Sequence, residues 1–155
     1  MSLRPISAAV AAIAMLGCGT DPSSIDLTGH WHIVAHVHAA DLTPEQQSCV
    51  LDMGLIISSD SLTSVIGGVQ GNAAVGDDTG TFQCVLYGQT ATPTPRYQGV
   101  YFVVTRNGGQ LNIYQLNTGL LAFQGAIKGE TLMGGPVGPE VLGIGTWVGI
   151  RRTGQ

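Results

Sequence analysis

The sequence predicts an all-β protein whose single domain is an up-and-down antiparallel barrel of about eight short strands. After Leu27 the chain is a succession of short runs in which apolar and polar residues alternate, the pattern of strands that are buried on one face. Gly, Asp, Pro and Asn separate these runs, and 23 of the 155 residues are glycine, which suits the bends and bulges of a small barrel. No stretch after residue 27 shows a helical period of useful length.

Eight alternating runs are the predicted strands. In chain order they are 28–38, 49–57, 62–69, 81–88, 97–105, 110–116, 120–128 and 142–152. A sheet of this size must cover its apolar face and protect its two edges, and closure into a barrel does both. A β-sandwich is the alternative architecture.

Turn-forming residues set the predicted boundaries between these runs. Ser59, Asp60 and Ser61 predict a turn between the second and third runs, and a polar, Gly-rich stretch ending at 77–80 leads to the fourth. Pro93 and Pro95 predict a loop over 89–96. Asn107-Gly108 predicts a hairpin turn, because both residue types tolerate positive φ.

The two terminal strands of the predicted barrel resemble those of lipocalin-like and avidin-like barrels. The first contains D-L-T-G-H-W at 26–31, similar to their Gly-x-Trp strand, and the last contains G-T-W-V-G-I-R-R at 145–152. The resemblance implies a barrel domain over 27–155 in which a basic residue of the last strand packs over the first-strand tryptophan. By that analogy Arg151 or Arg152 closes one barrel end over Trp31.

The first 17 residues have the features of a bacterial lipoprotein signal peptide. Arg4 supplies a positive charge and 5–16 are mostly apolar, too short a run to span a bilayer. Met15-Leu16-Gly17-Cys18 resembles the lipobox, which implies cleavage after Gly17 and lipidation of Cys18, with 18–26 as a short tether. The protein is then exported and held on a membrane by lipid, and Gly19 favours the outer membrane in a Gram-negative cell. An ordinary signal peptide with a coincidental cysteine is the alternative.

Cys49 and Cys84 are an even pair once Cys18 is assigned to lipid. In an exported domain such a pair favours a disulfide, which would stabilise the fold by roughly 3–4 kcal/mol in the chain-entropy model. Their strands are second and fourth in a simple meander, so we expect the bridge to reach across the interior or one barrel end. Two buried free thiols are the alternative.

All four histidines of the chain lie in the first predicted strand, at His30, His32, His36 and His38. Their shared parity places them on one face, opposite Trp31, Ile33 and Val37. We expect the apolar set to face inward and the histidines to face solvent, since burying four unpartnered imidazoles would be costly. Two histidines at positions i and i+2 of a strand can bind one metal ion between them, yet no residue nearby in the sequence supplies the remaining ligands of a tetrahedral site. At most weak metal binding is expected.

The remaining composition excludes several classes of function. The formal charge of −4 becomes one unit more negative when Arg4 is removed, so the basic surface that nucleic-acid binding needs is missing. The carboxylates stand singly in predicted turns, and no nucleophile or acid–base pair is indicated. We therefore expect no enzymatic activity and no cofactor.

Besides weak metal binding through the histidine strand as a third possibility, two leading functions remain. One is the binding of a small apolar or amphipathic ligand inside the barrel; the other is a structural or protein-interaction role in the cell envelope with a filled barrel. The side chains at the barrel centre discriminate between them, because a pocket needs small residues there.

Overall fold

The computed structural model describes residues 21–65 and 69–154, with the side chains of 59–70 left out of the description. The predicted signal peptide, Cys18 and the start of the predicted tether lie outside this range. The strands, in chain order, are β1 (Gly29–His38), β2 (Gln47–Val65), β3 (Val69–Gly76), β4 (Thr81–Leu86), β5 (Gln89–Thr90), β6 (Thr94–Pro95), β7 (Tyr101–Asn107), β8 (Gln110–Gln115), β9 (Leu121–Lys128), β10 (Leu132–Pro136) and β11 (Ile144–Arg151). Single 3-10 turns occupy Pro22–Ser24 and Pro139–Val141.

Eight of these strands close into an antiparallel barrel, which confirms the predicted fold class. The order around the wall is β1-β11-β10-β9-β8-β7-β3-β2, and β2 pairs with β1 to complete the circle. Consecutive barrel strands are neighbours, as in an up-and-down barrel. The exception is β4, β5 and β6, which form a small lobe on the edge of β2.

The second and third predicted strands are one strand, contrary to the sequence prediction. No turn forms at 59–61: β2 continues through it, and the pairing with β3 only shifts register between Ile57 and Ser61. A register shift lets residues that favour turns, such as those at 59–61, lie within a strand without ending it. The polar stretch expected to connect strands instead forms β3, which pairs with β2 and β7. Polar, Gly-rich sequence is compatible with a strand when both edges are paired.

β10 lies in the Gly- and Pro-rich segment after Lys128 and has no counterpart among the predicted strands. Its pairing with β9 and β11 is tight: a Cβ atom on Gly125 would collide with the Gly134 carbonyl, and one on Gly134 would collide with the Trp147 carbonyl. Glycine is therefore required here by close approach of neighbouring backbones, not by a turn. The expected loop 89–96 likewise contains the short strands β5 and β6, which pair only with β4, and proline is tolerated on such an edge.

The β7–β8 hairpin forms one residue later than predicted. Asn107 pairs with Gln110 at the end of the ladder, so Gly108 and Gly109 make the turn. Gly108 takes the positive φ of +57° that the turn requires, while Asn107 remains in the strand.

Candidate functional site

Large apolar side chains occupy the centre of the barrel. Alternate residues of β1 and β2 point inward, and the other strands contribute aromatic and aliphatic groups. The largest fully buried members of this cluster are Trp31, Ile33, Leu51, Met53, Leu55, Ile57, Phe102, Leu111, Ile113, Phe123 and Met133. Among the described residues, three concavities of about 390, 150 and 220 Å³ are lined by strand edges, outer faces and chain ends.

Trp147 also points into the barrel, a placement that the sequence left open. Its indole Nε1 donates to the Gln124 carbonyl at 2.8 Å, and its ring lies 5.2 Å from that of Phe123. Room for it comes from Gly149 on the same face, where a Cβ atom would approach the Trp147 ring to 3.3 Å and Met133 to 2.9 Å. The exposed face of β11 instead carries Ile144, Val148 and Ile150.

One end of the barrel is closed by the chain segment 21–28 and by Arg151. The guanidinium of Arg151 lies over the Trp31 ring, 4.9 Å from its centroid, and donates to the Asp26 carbonyl. Trp31 Nε1 donates to the Leu27 carbonyl at 2.8 Å. The resemblance to lipocalin-like barrels implied that Arg151 or Arg152 lies over Trp31, and Arg151 is the residue found there. Arg152 is exposed, and its backbone N–H donates to the His30 carbonyl.

Polar contacts fix the segment 21–28 in its place across this barrel end. Arg106 donates to the Ile25 carbonyl, and the side chains of Ile25 and Leu27 are buried in the core. Hydrogen bonds from the backbone N–H and the hydroxyl of Thr28, both 2.9 Å long, hold the pKa of Asp26 below its ordinary value, and Arg151 adds to the effect. Side chains of segment 21–28 and of Arg151 therefore close the barrel end at which strand β1 begins.

The four histidines lie on the outer face of β1, with Trp31, Ile33, Ala35 and Val37 inside. His32 Nε2 is 2.8 Å from Asp52 Oδ1, a partner that the sequence analysis did not find. Asp52 is 20 residues away in sequence, and only the β1–β2 register, which pairs Val34 with Asp52, brings it near. Within residues 21–65 and 69–154, no group of three His, Cys, Asp or Glu side chains is placed to hold a metal ion.

Cys49 and Cys84 form a disulfide, as predicted, but their expected positions in the barrel were wrong. They are directly paired residues on neighbouring antiparallel strands, β2 and β4, with Cα atoms 4.0 Å apart. The bridge therefore joins the lobe to the barrel wall and does not cross the interior. The sequence could not show this, because β3 and β4 share one edge of the long strand β2.

The lobe ends in a hairpin that the sequence analysis did not single out. Tyr87 and Gly88 form its turn, with φ values of +46° and +78°. Leu86, Tyr87, Gln89, Thr90 and Ala91 line the concavity of about 390 Å³. The only available sequence signal was a Tyr-Gly pair at the end of an alternating run.

Comparison with protein-family models, with curated proteins and with solved structures gives no match. Among the described residues, no helix is long and apolar enough to cross a bilayer.

Proposed function

We propose that this protein is a lipid-anchored β-barrel of the bacterial cell envelope that works through its outer surface, in a structural or interaction role. The packing of the barrel centre carries this proposal. Side chains of Trp, Phe, Met, Leu and Ile occupy the space that a lipocalin-like pocket would need, and Arg151 with segment 21–28 covers one end. A filled barrel is a rigid scaffold for surface features.

The direction of the N-terminal segment supports an orientation on the membrane. Asp21 is three residues from the proposed lipid site, Cys18, and three residues span at most about 11 Å. The segment then crosses the closed barrel end, where Pro22 lies beside Gly109 of the β7–β8 turn. The closed end thus faces the bilayer, and the lobe, at the opposite end of β2 and β4, faces away from it. Two or three acyl chains on one cysteine give the stable attachment that a single chain does not.

Lipidation of Cys18 is testable by mass. We expect mature protein extracted from membranes to begin at Cys18 and to carry the mass of a diacylglyceryl group, because the signal-peptide features and the Met15–Cys18 motif are in register. The variant Cys18→Ser should leave the membrane fraction, whereas Cys49→Ser should remain in it. An unmodified mature terminus, or membrane partition by Cys18→Ser, would refute the anchor.

The filled interior is testable with an apolar fluorescent probe, 1-anilinonaphthalene-8-sulfonate. We expect the native protein to show no stoichiometric probe binding, since large buried side chains are packed together at the barrel centre. The matched variant Trp147→Ala, which removes an indole from that centre, should acquire binding. A tightly bound apolar ligand that copurifies with wild-type protein, detected by native mass spectrometry, would instead favour ligand binding inside the barrel.

A further inference from the structure

Tyr87 occupies a strained position that its own packing does not explain. Positive φ at both Tyr87 and Gly88 is the geometry of a tight hairpin turn that favours Asn-Gly, and a bulky residue is strained there. Tyr97 also has a positive φ, but its ring packs edge-on against Phe102, and its hydroxyl donates to the Glu140 carbonyl. Tyr87 is 66% exposed, so burial does not offset its strain. The hairpin backbone, and not contacts of its own ring, holds Tyr87 in this conformation, and residues held in strained conformations cluster at functional sites.

The hairpin that presents Tyr87 is braced on both sides. The Cys49–Cys84 disulfide joins it to β2, and the Tyr87 backbone N–H donates to the Gln46 carbonyl at 2.8 Å. On the returning strand, the Gln83 side-chain amide donates to the Ala91 carbonyl at 3.0 Å. The ring is therefore held on a supported backbone, which lowers the entropic cost of binding.

The concavity beside this ring is uncharged. From Thr81 to Pro95 the chain contains no Asp, Glu, Lys, Arg or His. The walls combine the Tyr87 ring and Leu86 with the exposed amide of Gln89 and hydroxyl of Thr90. The concavity, about 390 Å³ in volume, lies within the range of small-molecule sites, about 300–1,000 Å³. Such a surface selects a neutral ligand that has one apolar face and several hydroxyl or amide groups.

We propose that the Tyr87 concavity binds a neutral saccharide, with the C–H face of a sugar ring stacked on Tyr87 and its hydroxyls bonded by Gln89 and Thr90. The geometry disfavours other ligands. An ionised ligand would find no residue of opposite charge in the lining. An acyl chain would remain exposed to water, because the concavity is open to solvent. A stable protein interface takes roughly 20–30 residues from each partner, whereas five residues line this concavity. The proposal does not depend on lipidation of Cys18.

The experiment uses purified mature protein and two neutral probes, maltotriose and tri-N-acetylchitotriose, followed by saturation-transfer NMR and titration. We expect millimolar or tighter binding of at least one probe, with strongest transfer to the protons of one sugar face. Tyr87→Asn removes the ring but suits the turn, so it should fold and should weaken binding by about tenfold. Tyr87→Phe should retain most of the affinity. Tyr101→Asn, which removes another exposed tyrosine outside this concavity, should change affinity less than about twofold.

Each outcome decides the proposal. Binding that is lost in folded Tyr87→Asn and kept in Tyr101→Asn supports the site. Absence of saturation transfer to both probes at millimolar protein and sugar overturns it, as does binding that Tyr87→Asn leaves unchanged. Crosslinking from position 87 to an envelope protein, without saccharide binding, would replace the saccharide with a protein partner.

Discussion

Replacement of Trp31 by alanine should lower the free energy of unfolding by about 3–5 kcal/mol, the range for deleting a large aromatic side chain from a core. Trp31 is 0% exposed and lies where segment 21–28 closes the barrel. The substitution removes three things together: the packing of the indole in the core, its hydrogen bond to the Leu27 carbonyl, and the surface on which Arg151 rests. Denaturation in urea, monitored by circular dichroism, measures the change.

Arg151→Ala provides the matched comparison for this prediction. The arginine is partly exposed, so its loss should cost much less than the loss of Trp31, and the two substitutions should be non-additive because the side chains are in contact. We expect a coupling energy of about 0.5–1 kcal/mol, typical of a partly exposed cation–π pair. The variant Arg152→Ala, which alters the neighbouring exposed arginine, should be nearly neutral. An additive double variant would contradict a direct Arg151–Trp31 interaction.

Alternation along a strand made the wall of the barrel predictable. In β1 the sequence specifies which residues face inward, because Trp31, Ile33, Ala35 and Val37 alternate with four histidines and a register slip would bury the imidazoles. The same reasoning failed for β10. Its residues, Leu132–Pro136, include two glycines and a proline, and they form a strand because neighbouring backbones approach closely. The close approach of neighbouring backbones depends on the tertiary fold, so a local sequence pattern cannot predict it.

Which side chains contact each other depends on the register between paired strands, so these contacts could not be predicted from sequence spacing alone. Asp52 meets His32 because the register between β1 and β2 sets Val34 opposite Asp52. Cys49 meets Cys84 because β2 offers one edge to both β3 and β4. The disulfide itself was predictable, since an even pair of cysteines in a domain expected to be exported favours one. Its position was not. Tyr87 was overlooked for a related reason: its significance lies in a backbone angle and an exposed fraction, and neither has a local sequence signature.

The disulfide lies in the middle of the β2–β4 ladder, where it joins the lobe to the barrel wall. On the barrel side, β2 is paired along both edges, by β1 and by β3 with β4. On the lobe side, β4 pairs, among the described strands, with β2 and with the two-residue strands β5 and β6. Short edge pairs open readily by local unfolding. The covalent link at Cys84 therefore restrains the part of the protein that carries Tyr87.

Removal of the disulfide should destabilise the protein by about 3–4 kcal/mol, and the change should be largest in the lobe. The two cysteines are 35 residues apart, and closing a loop of that length in the unfolded chain gives about this value in the entropy model. The test is urea denaturation of the double variant Cys49→Ser with Cys84→Ser, together with reduced wild-type protein, which should match it. Hydrogen exchange should accelerate most in 84–91, while the β8–β9 ladder should retain its order of protection. Equal acceleration along all strands, or a loss below about 1 kcal/mol, would contradict the assigned role of the bridge.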